Sequence, residues 1–203
     1  MTAQQVGGSA RPRYDVSTVL EAAVVVFNEQ GFDGTSMEDL SRRLGISKAA
    51  IYHHIESKEA ILGLALDQAL AGLEEAAASV RALDGPAIWR LESLLRSSVQ
   101  VLVDRLPYVT LLLRVRGNSE VERRALARRR RIDRLVAELV QEAVDEGDLR
   151  PDVDPVIVAR LLFGMVNSLT EWLRPGSAHE AGELAEALTA IAFDGLRRRP
   201  EAG

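Results

Sequence analysis

At 203 residues, with 47% hydrophobic residues, the chain has room for one large or two small domains and ample material for a core. Its net charge of −5 argues mildly against a general nucleic-acid binder but not against a specific one, because the field at a contact surface is local. The absence of cysteine excludes a disulfide framework and thiol chemistry, and no long apolar run marks a signal peptide or a membrane span.

Residues 1–14, with Arg11 and Arg13, read as a disordered arm: a solvated tail, with reach to DNA as the alternative. The first helix is expected from Asp15 to Gln30. Val16, Val19, Leu20, Ala23, Val24 and Phe27 share its inner face, while Val25 and Val26 lie off the stripe, partly exposed.

The stretch from Thr35 to Lys58 is two short helices joined by a tight turn. Thr35 or Ser36 caps the first helix, and Glu38 and Asp39 sit where the helix dipole favours negative charge. Met37, Leu40, Ser41 and Leu44 recur at helical spacing, and Gly45 ends the helix at a position suited to a left-handed backbone. Ile46 plugs the turn, Ser47 caps the second helix, and Ile51 and Ile55 turn inward. A small residue at 41, glycine at 45 and a β-branched residue at 51 is the packing pattern of a helix-turn-helix. The outward face then carries Lys48, Tyr52 and His53, which are donors for phosphates and base edges rather than catalytic tools.

This stretch resembles the N-terminal signature of the TetR family of transcriptional regulators. The matching pieces are Gly-Phe-Asp-Gly-Thr-Ser at 31–36, Leu-Gly-Ile-Ser-Lys at 44–48, Ile-Tyr-His-His-Ile at 51–55 and Ser-Lys-Glu at 57–59. The resemblance is specific over roughly 16–70 and architectural beyond. Ser41 stands where alanine is usual and Ile55 where phenylalanine is usual; both keep the site small or apolar. The resemblance implies an all-α protein of about nine helices, with a helix-turn-helix domain at 15–56 and a ligand-sensing and dimerising domain at 57–203.

Beyond the motif every periodic segment reads as helix. One runs from Lys58 to about Val80, a rod between DNA and the following domain, and Asp84-Gly85-Pro86 ends that segment. The next runs from Pro86 to near Pro107, followed by a short helix from Tyr108 to Arg116, then Glu120 to Glu146. Asp154-Pro155 opens a helix to about Leu173 that is apolar nearly all round, so it is covered on more than one side. After Pro175-Gly176-Ser177 the last helix runs from about Glu180 to Arg198. These last two helices are expected to meet their copies across a two-fold axis.

Within the motif, Ser47, Lys48 and Ala49 sit where base edges are met in this geometry, and Thr35, Tyr52, His53 and Lys58 suit phosphates. Arg42 and Arg43 fit phosphate contact and solvation equally well. His53 and His54 are adjacent, so their rings point about 100° apart and do not chelate one ion. With His179 the one other histidine, no metal site and no cofactor are implied. No acid/base or nucleophile set, phosphate loop or nucleophile elbow marks an enzyme.

The run Arg123-Arg124, Arg128 to Arg131 and Arg134 admits two readings. It covers a solvated face opposite Glu120, Glu122 and Asp133, or it binds an anion. On the second reading the run as a whole, Arg124 and Arg128 included, holds phosphates together with Arg114, Arg116 and Asn118. Trp89, Tyr108, Phe163, Met165, Asn167 and Trp172 then wall an apolar tunnel, although Trp or Met at helical spacing is also ordinary core. A polar amide such as Asn167 in an apolar helix needs a partner, either the dimer mate or a ligand. A hydrophobic acid on a phosphate-rich handle, an acyl-coenzyme A thioester, fits that division. The layout of this half is similar to TetR-type regulators of aromatic-acid, fatty-acid or sterol catabolism, including those similar to phenylacetic-acid pathway repressors.

The expectation is a cytoplasmic homodimeric repressor without catalytic activity, bound to a pseudo-palindromic operator and released by a small hydrophobic or acyl-coenzyme A effector. The alternative is a helix-turn-helix activator or architectural DNA-binding protein without a small-molecule ligand.

Overall fold

Asp15 opens the first helix by accepting the backbone amide and the hydroxyl of Thr18, both at 2.9 Å. The computed structural model describes residues 15–174 and 180–196, except the side chains of 195 and 196. The expected arm with Arg11 and Arg13, the loop at 175–177, His179 and the end of the last helix at Arg198 lie outside the described residues. The described residues form nine helices and no strand: α1 Val16–Gln30, α2 Met37–Leu44, α3 Lys48–Tyr52, α4 Lys58–Arg81, α5 Ala87–Asp104, α6 Leu106–Arg114, α7 Glu120–Asp145, α8 Pro155–Trp172 and α9 Ala181–Leu196. The chain divides into two compact units, one ending at Ile61 and one beginning at Leu62, so α4 supplies residues to both.

In the first unit α1 covers the α2–α3 pair. Val19, Ala23, Val24 and Phe27 of α1, Leu40 of α2 and Ile51 of α3 are all fully or almost fully buried. Two expectations on α1 need correcting. Val26 is buried, whereas Val16, assigned to the inner face, is exposed because it is the first helical residue with nothing preceding it to pack on. Phe32, just past the helix end, packs edge-on against Phe27 with ring centroids 5.3 Å apart, closing that end of the core.

In the second unit α5 is the central helix, packing on α7, α8 and α9. Its buried stripe of Ile88, Leu91, Leu94, Leu95, Val99 and Leu102 follows the 3.6-residue period. Ser98 lies in that stripe without penalty because its hydroxyl donates to the Leu94 carbonyl at 2.7 Å. Pro107, expected to stop α5, instead sits in the first turn of α6, where its missing N–H is not required. Glu122, expected on a solvated face, is buried; its carboxylate accepts the amides of Gly117 at 2.8 Å and Asn118 at 2.7 Å. That carboxylate ties the α6–α7 loop to the first turn of α7, which Ser119 caps.

Helix α8 is less covered than its composition suggests. Val158, Ala159, Leu162, Val166 and Leu169 are buried, but Ile157 is 51% and Leu161 63% exposed, as is Ile191 of α9 at 70%.

Candidate nucleic-acid interface and effector groove

The α2–α3 turn is built by three local devices. Ser36 and Asp39 form a reciprocal capping box at the start of α2. Gly45 holds φ 67°, ψ 26°, the left-handed conformation that a side chain would strain. Ser41, the residue that departs from the usual alanine, uses its hydroxyl to donate to the Ile46 carbonyl at 2.5 Å, locking the turn from inside. Ser47 then caps α3 by accepting the Ala50 amide.

These devices leave Ser47, Lys48, Ala49, Tyr52 and His53 on the surface, with Tyr52 50% exposed. Lys48 forms an ion pair with Glu38 at 2.7 Å. The pair holds the Glu38 carboxyl below its ordinary range and pushes the Lys48 ammonium up, each through the other's hydrogen bond and charge. Both side chains are well exposed, so the pair is weakly held. Arg42 pairs with Asp39 at 3.1 Å and Arg43 with Glu29 at 3.7 Å, also at the surface. The rings of His53 and His54 stand edge to face, 5.2 Å apart.

Two expected phosphate donors face inward. Thr35 is only 2% exposed, and its hydroxyl donates to the Gly31 carbonyl at 2.7 Å. Lys58 directs its ammonium at the carbonyls of Phe32 and Thr35, each at 2.8 Å, and stands 4.3 Å above the Phe32 ring. Both residues brace the α1–α2 turn because that turn carries carbonyl groups with no helical partner.

In the second unit the arginine run of α7 divides by helical face. Arg123 and Arg124 pair with Glu120. Arg128 grips Asp67 and Glu74 of α4, and Arg131 approaches Glu74 at 3.9 Å. The guanidinium of Arg128 holds the Glu74 carboxyl below its ordinary range, mainly through a hydrogen bond. By contrast, Arg129, Arg130 and Arg134, with Arg160 of α8, make no ion pair among the described residues.

Those four line a groove of about 460 Å³ between α7 and α8, together with Asp133, Ala137, Val156, Ala159, Phe163, Gly164 and Asn167. Adjoining it is a largely apolar pit lined by Leu73, Leu102, Val109, Leu112, Leu113, Ile132 and Val166, with Ser98 also in its wall. The pit holds about 20 Å³, room for one water. Arg129, Asp133, Phe163 and Asn167 border both spaces.

Of the residues expected at an effector site, Phe163 and Asn167 lie here, and the others do not. Trp89 is 67% exposed at the start of α5 and Trp172 is 49% exposed, and neither lines the pit or the groove. Tyr108 and Met165 are half-buried outside both spaces, although Val109, next to Tyr108, lines the pit. Arg114, Arg116 and Asn118 are exposed around the α6–α7 loop. Arg124 is ion-paired to Glu120, and Arg128 is spent on α4. Arg129, Arg130 and Arg134 belong to the run read as an anion site, whereas Arg160 was not singled out and Asp133 was read only as a neighbouring acid. Helical phase carried the signal: 130, 134 and 137 recur at steps of four and three, as do 156, 160, 163 and 167 on α8.

Residues 19–65 match the family described as bacterial regulatory proteins, tetR family, and residues 84–196 match the tetracyclin repressor-like C-terminal domain. The chain is similar to the solved SCO3833 of Streptomyces coelicolor A3, a member of the TetR transcriptional regulator family. The two are 47% identical, with 94% of each chain covered and a TM-score of 0.84. It is 26% identical to AibR, solved in complex with isovaleryl coenzyme A and operator DNA, over 88% of this chain and 97% of that one, with a TM-score of 0.74. It is also 27% identical to the HTH-type transcriptional repressor KstR2 of Rhodococcus jostii over 192 residues, 88% of this chain and 89% of that protein.

Proposed function

The chain belongs to the TetR family of bacterial regulatory proteins, and on that premise we propose that it is a homodimeric operator-binding repressor released by an anionic hydrophobic effector of the acyl-coenzyme A class. Residues 15–56 read DNA, and residues 57–203 sense the effector and dimerise. The observation that carries the effector reading is the 460 Å³ groove, where four arginines without ion pairs among the described residues sit beside an apolar pit. Its size is in the range of small-molecule sites. A phosphate-bearing handle satisfies the arginines, and the pit, which has to open from its present 20 Å³, offers apolar lining for an acyl group. A ligand-free activator or architectural protein has no use for such a groove.

On the DNA side, Ser47, Lys48 and Ala49 approach base edges at the N-terminus of α3, and Tyr52 and His53 contact phosphates. Lys48 exchanges Glu38 for DNA as it docks. The reader is not basic overall, so affinity depends on two copies binding successive major grooves about 34–36 Å apart on a pseudo-palindromic operator.

The two copies join through α8 and α9. Ile157, Leu161, Gly164 and Ser168 recur at steps of four and three along α8, and Ile191 is exposed on α9. A glycine inside a helix costs about 1 kcal/mol relative to alanine; a Cβ at Gly164 would meet no atom of its own chain within 4 Å, which leaves room for the second copy as well as for the groove that Gly164 lines.

Effector binding changes which spacing of the two α3 helices is stable, lowering operator affinity by a coupling energy of about 1–3 kcal/mol. Helix α4 is the physical link, since Arg128 holds its middle to α7 and Lys58 holds its start to the α1–α2 turn. The protein works in the cytoplasm with its operator and has no catalytic role. No described helix is long and apolar enough to cross a membrane.

Hydroxyl-radical footprinting on the DNA upstream of the gene and its neighbours tests the proposal. The expected pattern is two protected segments one helical turn apart, lost when acyl-coenzyme A thioesters are added. Protection that no thioester disturbs would remove the effector class, and absence of protection on any of these fragments would remove the DNA reader.

A further inference from the structure

Between residues 15 and 56 the arginines and lysines are Arg42, Arg43 and Lys48, and each is paired with a carboxylate: Arg42 with Asp39, Arg43 with Glu29 and Lys48 with Glu38. Two of those carboxylates have their place in the fold. Asp39 closes the capping box of α2, accepting the Ser36 amide at 2.9 Å and the Ser36 hydroxyl at 2.6 Å, and Glu29 belongs to the last turn of α1. Glu38 is different. It stands in the first turn of α2 outside the capping box, exposed, with its carboxylate 2.7 Å from the ammonium of Lys48, the first residue of α3. Where Lys48 meets a base edge, Glu38 meets the same stretch of groove.

The hydrogen bond and charge of Lys48 hold the Glu38 carboxyl below its ordinary range, so the group is ionised at neutral pH. Once Lys48 turns to DNA, that carboxylate loses its donor in an interface that is shedding water, and an ion left unpaired there costs more than a lost neutral bond. Arg42, one turn along α2, adds its charge but donates to Asp39 at 3.1 Å. Phosphates offer no donor at all. The donors of the major groove are the amino groups of cytosine and adenine. Adenine presents its amino group beside its own N7, an acceptor that repels a carboxylate. Cytosine presents N4 without an acceptor of its own, and its guanine partner shows O6 and N7, which suit an ammonium. The two halves of the ion pair therefore match the two halves of one base pair. We infer that Glu38 is a specificity-determining residue that, together with Lys48, reads a C·G base pair in each half-site, the carboxylate accepting from cytosine N4 and the ammonium donating to the guanine. The inference rests on the reading of α3 as the DNA-reading helix.

The test uses the full chain and the operator located by footprinting, remade as a panel in which each base pair is changed to the other three in both half-sites at once. Affinities are read by fluorescence anisotropy at one salt concentration. Wild type should show a position where C·G is preferred at least about fivefold over every alternative, and Glu38→Ala should flatten that position to within about twofold. Preferences elsewhere in the half-site should stay as in wild type, which also shows that the variant is folded. Glu38→Gln places an amide, the usual partner of adenine, on a stem of the same length, so the preference at that position should move from cytosine to adenine. A role confined to the helix dipole would lower the thermal midpoint and move no base preference.

If both variants keep every wild-type base preference, the inference is overturned and the DNA reading stands. The same holds if the position flattened by Glu38→Ala is one where wild type prefers a base other than cytosine. If wild type binds no upstream fragment, the reading of α3 fails and takes this inference with it.

Discussion

Lys58 donates a hydrogen bond to the carbonyl oxygen of Phe32 at 2.8 Å and stands 4.3 Å above the ring of the same residue. The first residue of α4 therefore staples the end of α1, and a second bond to the Thr35 carbonyl extends the staple to the start of α2. The Lys-Glu pair at 58–59 is part of the sequence signature, and the position of Lys58 explains it as a brace for the DNA-reading unit. Lys58→Met keeps the stem and removes the ammonium, leaving two part-buried carbonyls without their donor. It should cost about 1–3 kcal/mol of stability, read as a lower thermal midpoint. The salt dependence of the remaining operator binding should be unchanged. Loss of about one unit from that slope would instead identify Lys58 as a phosphate contact.

Tyr52 is half exposed on α3, whose inner residue Ile51 is fully buried. Tyr52→Ala therefore removes surface without opening the core. Operator affinity should fall about tenfold, in line with one lost phosphate hydrogen bond and its ring contacts. Sedimentation should still report a dimer, and wild-type affinity in this variant would mean that α3 does not face the DNA.

The grip of Arg128 on Glu74 and Asp67 gives a pH signature. The Glu74 carboxyl titrates below its ordinary value of 4.5, so its contribution to stability is complete above that value and is lost as pH falls through the depressed one. Arg128→Met should destabilise the protein by about 1–2 kcal/mol at neutral pH, a figure already reduced for the partial exposure of the pair. The difference from wild type should shrink as pH falls below the ordinary glutamate range, measured by urea midpoints across a pH series. A difference that does not change with pH would show that Arg128 acts through packing alone.

Arg130 and Arg134 line the groove and make no ion pair among the described residues, so removing them leaves no carboxylate stranded there. The double variant Arg130→Ala, Arg134→Ala should keep wild-type operator affinity and thermal midpoint. It should need at least about tenfold more thioester for release, as expected for loss of charge-assisted bonds to phosphate. Arg124→Ala serves as the control and should leave the response unchanged, because its partner is Glu120.

Five of the described helices carry a side-chain cap as a local mark, at Asp15, Ser36, Ser47, Ser119 and Asp154, whereas α5 and α6 have none and were legible from their apolar period. Gly45, Ser41 and Ile51 were legible as a turn for the same reason, since the constraints lie within a dozen residues. The groove between α7 and α8 was legible only in part: the arginine run stood out as an anion site, but not which of its members line the groove. Its arginines differ from their ion-paired neighbours only in which helix each faces, and carboxylates on α4, more than fifty residues away, decide that Arg128 is spent and Arg129 is not. Trp89 shows the same limit from the other side. An aromatic on an amphipathic helix reads as core until the packing of α5 turns it outward. Thr35 and Lys58 had the chemistry of phosphate donors, but the unpaired carbonyls of the adjacent turn claimed them first.

The most direct test is a fluorescence-anisotropy titration of purified protein onto a labelled upstream fragment, repeated at saturating acyl-coenzyme A thioester. The predicted result is two chains per fragment without effector and an affinity at least about fivefold weaker with one of the thioesters. A monomer that binds none of these fragments, or a dimer whose affinity no thioester changes, would contradict it.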